Sequence, residues 1–112
     1  MSGGPVVAGP EAVGRVPSAS ALRTIADPMR AAILELLSRE QLCTCHLQEA
    51  LGAKQPLVSH HLRLLREAGL VVAEPCGRFT YYRLSPGAFD AVRDVVARLA
   101  AAAAVDLPKK PC

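Results

Sequence analysis

The sequence predicts a mainly helical fold with a two-stranded β wing, in the order α-α-α-α-β-β-α. Two short amphipathic segments are separated by only Gly52, Ala53 and Lys54, which is typical of a helix-turn-helix. Two runs rich in Val, Phe, Thr and Tyr follow Gly69, which indicates a hairpin. With 112 residues, the chain is long enough for one domain of modest core, and such domains often dimerise. We therefore predict a dimeric winged helix-turn-helix.

Local start signals define the first two helices. Residues 1–17 show no helical or strand period and are predicted to be a flexible arm. Ser18 opens a short helix that reaches Ile25. Asp27-Pro28 then supplies a capping oxygen and a proline at the first helical position. This second helix should end near Arg39 and bury one apolar stripe, formed by Met29, Ile33, Leu36 and Leu37.

The third and fourth helices have equally local boundaries. Thr44 caps a third helix of about two turns, and Gly52 is suited to the left-handed conformation that ends it. Gln55-Pro56 begins a fourth helix that runs to Ala68, with Gly69 as its stop.

The predicted wing consists of strands from Leu70 to Glu74 and from Phe79 to Leu84, joined by a turn from Pro75 to Arg78. Ser85-Pro86 repeats the helix-start signal and predicts a last helix that becomes Ala-rich near Ala104. One side of it carries Phe89, Val92, Val96 and Leu99. The folded domain is expected to span residues 18–105, with 106–112 as a flexible tail.

The fourth helix has the pattern of a DNA-contacting helix. At about 100° per residue, one face is apolar and comprises Leu57, Val58, His61, Leu62, Leu64, Leu65 and Ala68. The opposite face offers short hydrogen-bonding side chains first and arginines later, which suits entry into a major groove. Any surface helix has a polar face, but a hairpin with Arg78 at its tip follows and favours DNA. The residues predicted to contact double-stranded DNA are Lys54, Gln55, Ser59, His60, Arg63 and Arg78.

The adjacent histidines are not predicted to form a metal site. His61 lies within the apolar face and is expected to be a packed core residue with a hydrogen-bonded ring. His60 points the other way, so the two rings should diverge and cannot chelate one ion together. We expect His60 to contact DNA.

The overall amino-acid composition says little about which molecules the protein binds. The formal charge of +3 is only mildly basic, so the DNA prediction depends on local placement of charge. The start of the chain has no secretory pattern, and we expect a cytoplasmic protein with reduced thiols. The longest uncharged apolar run, Leu99 to Val105, is far shorter than the roughly 20 residues of a membrane span. No membrane partner is expected.

Several linked motifs resemble the ArsR/SmtB family of metal-sensing repressors. They read ADPMR at 26–30, LCTCHL at 42–47, QPLVSHHL at 55–62 and LREAGLV at 65–71, and they continue through Gly77-Arg78 and YYRL at 81–84. The resemblance covers roughly Leu22 to Pro86. It implies a homodimer, built by the first and last helices, that binds an inverted-repeat operator and leaves it when metal arrives.

Within that family, Cys43-Thr44-Cys45 looks like the arsenic- and antimony-sensing motif. His46 stands where the arsenic-sensing pattern usually has Asp, and Gln48 stands where some members have a third Cys. The last helix lacks the Asp and His pattern with which other members bind zinc. The resemblance therefore implies a site of Cys43, Cys45 and His46 for arsenic(III) or antimony(III), with zinc, nickel or cadmium as alternatives.

The spacing of Cys43 and Cys45 suggests how ion binding would change the structure. Side chains at i and i+2 point about 200° apart on a regular helix, so Cys43 and Cys45 should not meet on one ion unless the helix unwinds. Ligation would thereby distort the support of the DNA-contacting helix. A disulfide at this spacing is strained and is the less favoured interpretation. Cys76 and Cys112 receive no role, although either is a possible third donor.

The sequence is also compatible with functions other than arsenic sensing. Without the resemblance, Cys43 and Cys45 would be interpreted as small, partly buried hydrophobic residues. A regulator of the same fold could respond to nickel or zinc, a partner protein or redox state instead of arsenic. A small thiol enzyme is disfavoured, because the sequence has neither a phosphate-binding glycine loop nor a C-x-x-C motif.

Overall fold

The structure, a computed structural model, describes residues 19–112. The helices are α1 (Ala19–Ile25), α2 (Pro28–Leu37), α3 (Thr44–Leu51), α4 (Gln55–Glu67) and α5 (Asp90–Ala103). The strands are β1 (Leu42–Cys43), β2 (Val71–Cys76) and β3 (Phe79–Leu84). The predicted order of helices and wing is confirmed, with β1 as an additional element. The predicted arm at residues 1–17 and the opening Ser18 lie outside the described residues.

The cap of α2 forms as predicted. Asp27 Oδ2 accepts hydrogen bonds from the backbone N–H groups of Met29, at 2.9 Å, and Arg30, at 3.0 Å. Two of the N–H groups that every helix start leaves unpaired are thereby satisfied. The apolar stripe of α2 turns inward, with Ile33 and Leu37 buried.

One core joins α2, α3, α4 and the start of β2. Its most deeply buried large side chains are Ile33, Leu47, Leu62, Leu65, Leu70 and Val58. The predicted apolar face of α4 is largely confirmed. Leu57 is an exception, since 45% of it is exposed. At about 100° per residue, Leu57 lies a quarter-turn from the centre of the buried face, at its edge.

The sheet has three antiparallel strands in the order β1-β3-β2, so the prediction of a two-stranded wing was incomplete. Leu42 and Cys43 of β1 pair with Tyr82 and Tyr81 of β3. The predicted turn was also too long, because Pro75 pairs with Thr80 inside the hairpin. Proline is tolerated there because β2 is an edge strand. Gly77, at φ 62°, begins the actual turn with Arg78.

The last helix begins at Asp90 and not at the predicted Ser85-Pro86 signal. Residues 86–89 form a turn, and Gly87 adopts φ 76°, which a right-handed helix cannot include. In the part of the chain that the structure describes, helix α5 has no buried residue, and 53% of Val96 and 64% of Leu99 are exposed. Across residues 19–112, no helix has both the length and the hydropathy that a membrane span requires.

Candidate nucleic-acid interface and ion-binding site

The helix-turn-helix places the polar face of α4 in solvent. Helix α3 packs against α4 and ends at Gly52, whose φ of 61° is left-handed as predicted. Lys54 is the N-cap residue of α4, and Val58, His61, Leu62 and Leu65 fix the inner face of that helix in the core. The side chains predicted to contact DNA are all exposed, namely Lys54, Gln55, Ser59, His60, Arg63 and Arg78.

Five of these six residues fall into two groups along the surface. Gln55 and Ser59 line a groove together with Arg78 from the wing turn, so the start of α4 and the wing border one cleft. Further along α4, Arg63 Nη2 donates a hydrogen bond of 3.1 Å to His60 Nδ1. The arrangement exposes hydrogen-bonding groups at the helix start and cationic groups beside them, as contact with a polyanionic duplex requires.

His61 is a core residue, as predicted. Only 8% of it is exposed, and Arg30 Nη1 donates a hydrogen bond of 3.2 Å to its Nδ1. Burial lowers the pKa of His61 below its usual 6.5, and the nearby Arg30 charge acts in the same direction, while Asp27 opposes them. The rings of His60 and His61 do not fully diverge, because they meet edge to face with centroids 5.4 Å apart.

The second candidate site lies at the N-terminus of α3. The sulfur atoms of Cys43 and Cys45 and a ring nitrogen of His46 all lie within 4.8 Å of one another. The expectation that the two sulfurs point apart was wrong. Cys43 is the N-cap residue, with an extended backbone at φ −89° and ψ 170°, so regular helical spacing does not apply to it.

The structure joins Cys43 and Cys45 in a disulfide, which corrects the preference against that pairing. Their Cα atoms are 5.4 Å apart, within the range that disulfides span. The two sulfurs are unequal in access, because Cys43 is 3% exposed whereas Cys45 is exposed. Ion binding by both sulfurs requires the reduced form.

His46 holds the start of α3 in place. Its Nδ1 accepts a hydrogen bond of 3.1 Å from the backbone N–H of Cys43, which forms part of a capping box. Its ring meets Tyr81 of the wing edge to face, with centroids 5.9 Å apart. The candidate ion site therefore contacts the wing directly.

The donor set suits a soft or borderline ion. Two thiolates favour thiophilic ions, and an added imidazole extends the range to zinc, cadmium and nickel. Cys76 and Cys112 are exposed free thiols, and within residues 19–112 neither belongs to this cluster. The three residues fit an ion once the thiols are reduced.

The groove also contains residues that the sequence did not single out. Cys43 and Cys45 line it together with Gln55, Ser59 and Arg78, so the candidate ion site and the candidate DNA contacts share one cleft. The additional lining residues are Thr44, Gln48, Phe79, Thr80 and Tyr82. The β1–β3 pairing brings the cysteines to the wing, and a two-residue strand gives no periodicity that could reveal it.

Comparison with known proteins identifies relatives of this chain. Residues 27–72 match the family model described as bacterial regulatory protein, arsR family. The arsenic resistance transcriptional regulator ArsR1 of Pseudomonas putida is 45% identical over 65 residues, which cover 57% of this chain and 51% of that protein. The transcriptional repressor SmtB of Mycobacterium tuberculosis is 47% identical over 64 residues, which cover 57% of this chain and 47% of the relative. The chain thus spans about half the length of these two relatives.

A solved structure described as a possible transcriptional regulator for arsenical resistance superimposes with a TM-score of 0.66. It is 30% identical, and the match covers 79% of this chain and 98% of the other. These matches are to regulators and not to enzymes, which argues against the thiol-enzyme alternative. The family model, the relatives and the shared fold together establish that the chain belongs to the ArsR family of bacterial regulatory proteins.

Proposed function

We propose that this protein is a cytoplasmic, homodimeric transcriptional repressor that binds an inverted-repeat operator and leaves it when a thiophilic ion binds. Lys54, Gln55, Ser59, His60, Arg63 and Arg78 contact the duplex, while Cys43, Cys45 and His46 hold the ion. Arsenic(III) or antimony(III) is the first candidate, with zinc, cadmium and nickel as alternatives.

One observation carries the proposal. Cys43 and Cys45, which cluster with His46, line the same groove as Gln55, Ser59 and Arg78. An ion ligated there lies beside the groups that would contact DNA. Two relatives are an arsenic resistance regulator and a transcriptional repressor, which agrees with this assignment.

DNA binding follows from the exposed groups. The start of α4 carries the partial positive charge of a helix N-terminus, and Lys54 adds a positive charge at the same end. A phosphate of the DNA backbone is therefore favoured there. Gln55 and Ser59 can bond to base edges in the major groove, while Arg63 supplies a longer cationic reach. Arg78 contacts the backbone or the minor groove from the wing.

Release follows from the position of the ligands. Cys43 belongs to β1 and caps α3, and α3 supports α4. Any rearrangement of Cys43 toward an ion therefore acts on the wing and on the support of α4 together. A few-hundredfold loss of DNA affinity requires only about 3 to 4 kcal/mol of coupling.

Dimerisation is supported by α5. Within residues 19–112 that helix has no buried residue, and its exposed apolar side includes Val96 and Leu99. An exposed apolar helix face gains free energy when a second copy covers it.

Titration of a preformed operator complex tests the proposal. The reduced protein is bound to a labelled operator fragment, and arsenite, antimonite, zinc, cadmium and nickel are added separately while fluorescence anisotropy is recorded. At least one ion should release the DNA. If none of the five releases it, the proposed ion response is rejected.

The disulfide favours a second candidate, a redox-responsive regulator of the same fold. Oxidation of the Cys43 and Cys45 thiols by diamide would form one S–S bond, and two electrons and two protons would pass to the diamide. The same anisotropy assay, with diamide in place of metal, distinguishes this candidate. Release by diamide and not by ions would favour it.

A further inference from the structure

The His46 ring has one use in the ion-free structure that conflicts with ion binding. Its Nδ1 accepts the Cys43 backbone N–H at 3.1 Å, so the Nδ1 lone pair is engaged in the cap of α3. In a neutral imidazole with an acceptor at Nδ1, the proton resides on Nε2. Neither ring nitrogen then has a lone pair available for an ion.

Ligation at either nitrogen removes the capping bond. If Nδ1 becomes the ligand, its lone pair leaves the Cys43 N–H. If Nε2 becomes the ligand, it gives up its proton; in the neutral ring that proton occupies Nδ1, which then no longer accepts. Only an imidazolate has two free lone pairs, so a neutral imidazole ring serves one partner at a time.

We propose that His46 couples ion binding to uncapping of α3, because one imidazole serves either the Cys43 N–H or the ion. This inference deepens the proposed function and rests on it for the identity of the ligand. His46 is thus a positioning residue in the ion-free state and a ligand in the ion-bound state.

The freed N–H lies at a structural junction. Cys43 is the last residue of β1, pairs with Tyr81 of the wing and precedes the first residue of α3. Leu47, in the first turns of α3, is fully buried in the core that α4 shares. Loss of a capping bond shifts the equilibrium between an ordered and a frayed helix end by about fivefold. That change acts on the segment between the wing and α4.

Two variants separate capping from ligation without any metal. In His46→Ala both functions are lost, whereas in His46→Gln the side-chain carbonyl can still accept the N-cap N–H, as glutamine does at this position of capping boxes. Binding to an operator fragment is measured on phosphine-reduced, chelator-treated protein by anisotropy. His46→Ala should bind about fivefold more weakly than wild type. His46→Gln should stay within about twofold. Equal affinity of His46→Ala and wild type would overturn the inference.

Amide hydrogen exchange of Cys43 supplies a second readout, which also serves if His46→Ala fails to fold. In reduced wild-type protein, added cadmium should accelerate exchange of the Cys43 amide by about fivefold or more, since its acceptor leaves. In His46→Gln, the thiols should still take up cadmium, seen as near-ultraviolet thiolate absorbance, while the Cys43 amide keeps its protection.

The outcomes distinguish the inference from the function on which it rests. If cadmium shifts the His46 ¹⁵N resonances as ligation does and the Cys43 amide stays protected, the coupling is refuted. If wild-type thiols take up none of the five ions, the proposed ion response fails, and the metal-free comparison of His46→Ala with His46→Gln still decides the capping role.

Discussion

Cys43 is paired with Tyr81 across β1 and β3, so a cysteine of the candidate ion site belongs to the same sheet as the wing. His46, three residues further on, packs its ring against the same Tyr81. A displacement of Cys43 therefore reaches the wing without passing through α4.

The double change Ser59→Ala with Arg63→Ala should weaken operator binding by at least about tenfold, since base contacts contribute roughly 1 to 3 kcal/mol each. Both residues are exposed, so thermal unfolding should be unchanged. Anisotropy titrations with the operator measure the effect, and Arg39→Ala, an exposed arginine outside α4 and the wing, is the matched control. Wild-type affinity of the double variant would exclude this face as the DNA contact.

Arg78→Ala should weaken binding to operator and to unrelated DNA by similar factors, because a wing arginine on the backbone contributes charge and little sequence information. The logarithm of the association constant decreases linearly with the logarithm of the salt concentration, and the magnitude of that slope should be smaller by about one in the variant. Affinity measured at several salt concentrations checks this. A loss confined to the operator would instead assign Arg78 to base contacts.

Cys43→Ser with Cys45→Ser should leave DNA binding within about twofold of wild type and abolish release by ions, since hydroxyls do not replace thiolates as soft ligands. The operator titration with arsenite and cadmium measures both. The control is Cys76→Ser with Cys112→Ser, which alters the exposed thiols outside the cluster and should respond normally. If ions still released DNA from the Cys43→Ser, Cys45→Ser variant as they do from wild type, the ion-binding site would lie elsewhere in the protein.

Acid should destabilise the fold through His61. Because its folded-state pKa lies below 6.5, the unfolded chain binds the proton more readily, and stability falls as the pH drops below about 6.5. Urea unfolding at pH 7.5, 6.5 and 5.5 should show this fall. His61→Gln should show less of it, whereas His60→Gln, at an exposed neighbour, should retain it. Parallel pH profiles for wild type and His61→Gln would contradict the assignment.

Val96→Asp with Leu99→Asp should shift the protein from dimer to monomer, because two carboxylates on the exposed apolar side of α5 oppose its burial. Operator affinity should fall with it, since one protomer then contacts one half-site. Sedimentation velocity reports the mass, and Arg98→Ala on the same helix is the control. A dimer that persists would place the interface away from this side.

Much of the fold could be predicted because its signals are local. Asp27-Pro28, Gln55-Pro56 and the two glycines Gly52 and Gly69 set helix limits through caps and left-handed turns that depend on few neighbours. The inner face of α4 followed from periodicity alone, with only Leu57 misplaced at its edge.

The missed features depend on long-range pairing or on the ends of elements. Strand β1 exists because β3 pairs with it, and two residues have no period of their own. The convergence of Cys43 and Cys45 was missed because regular helical spacing was assumed for an N-cap residue with extended backbone. The start of α5 was misplaced because Gly87 turns the chain after Pro86.

The unequal access of the two sulfurs imposes an order of events on any reagent that arrives from solvent. Such a reagent meets Cys45 at the surface first, and Cys43, whose sulfur lies within 4.8 Å of that of Cys45, closes on it second. Capture is then bimolecular and should scale with reagent concentration, whereas completion is unimolecular and should reach a ceiling. Once the reagent is abundant, the closure of Cys43 would therefore limit the rate of the response.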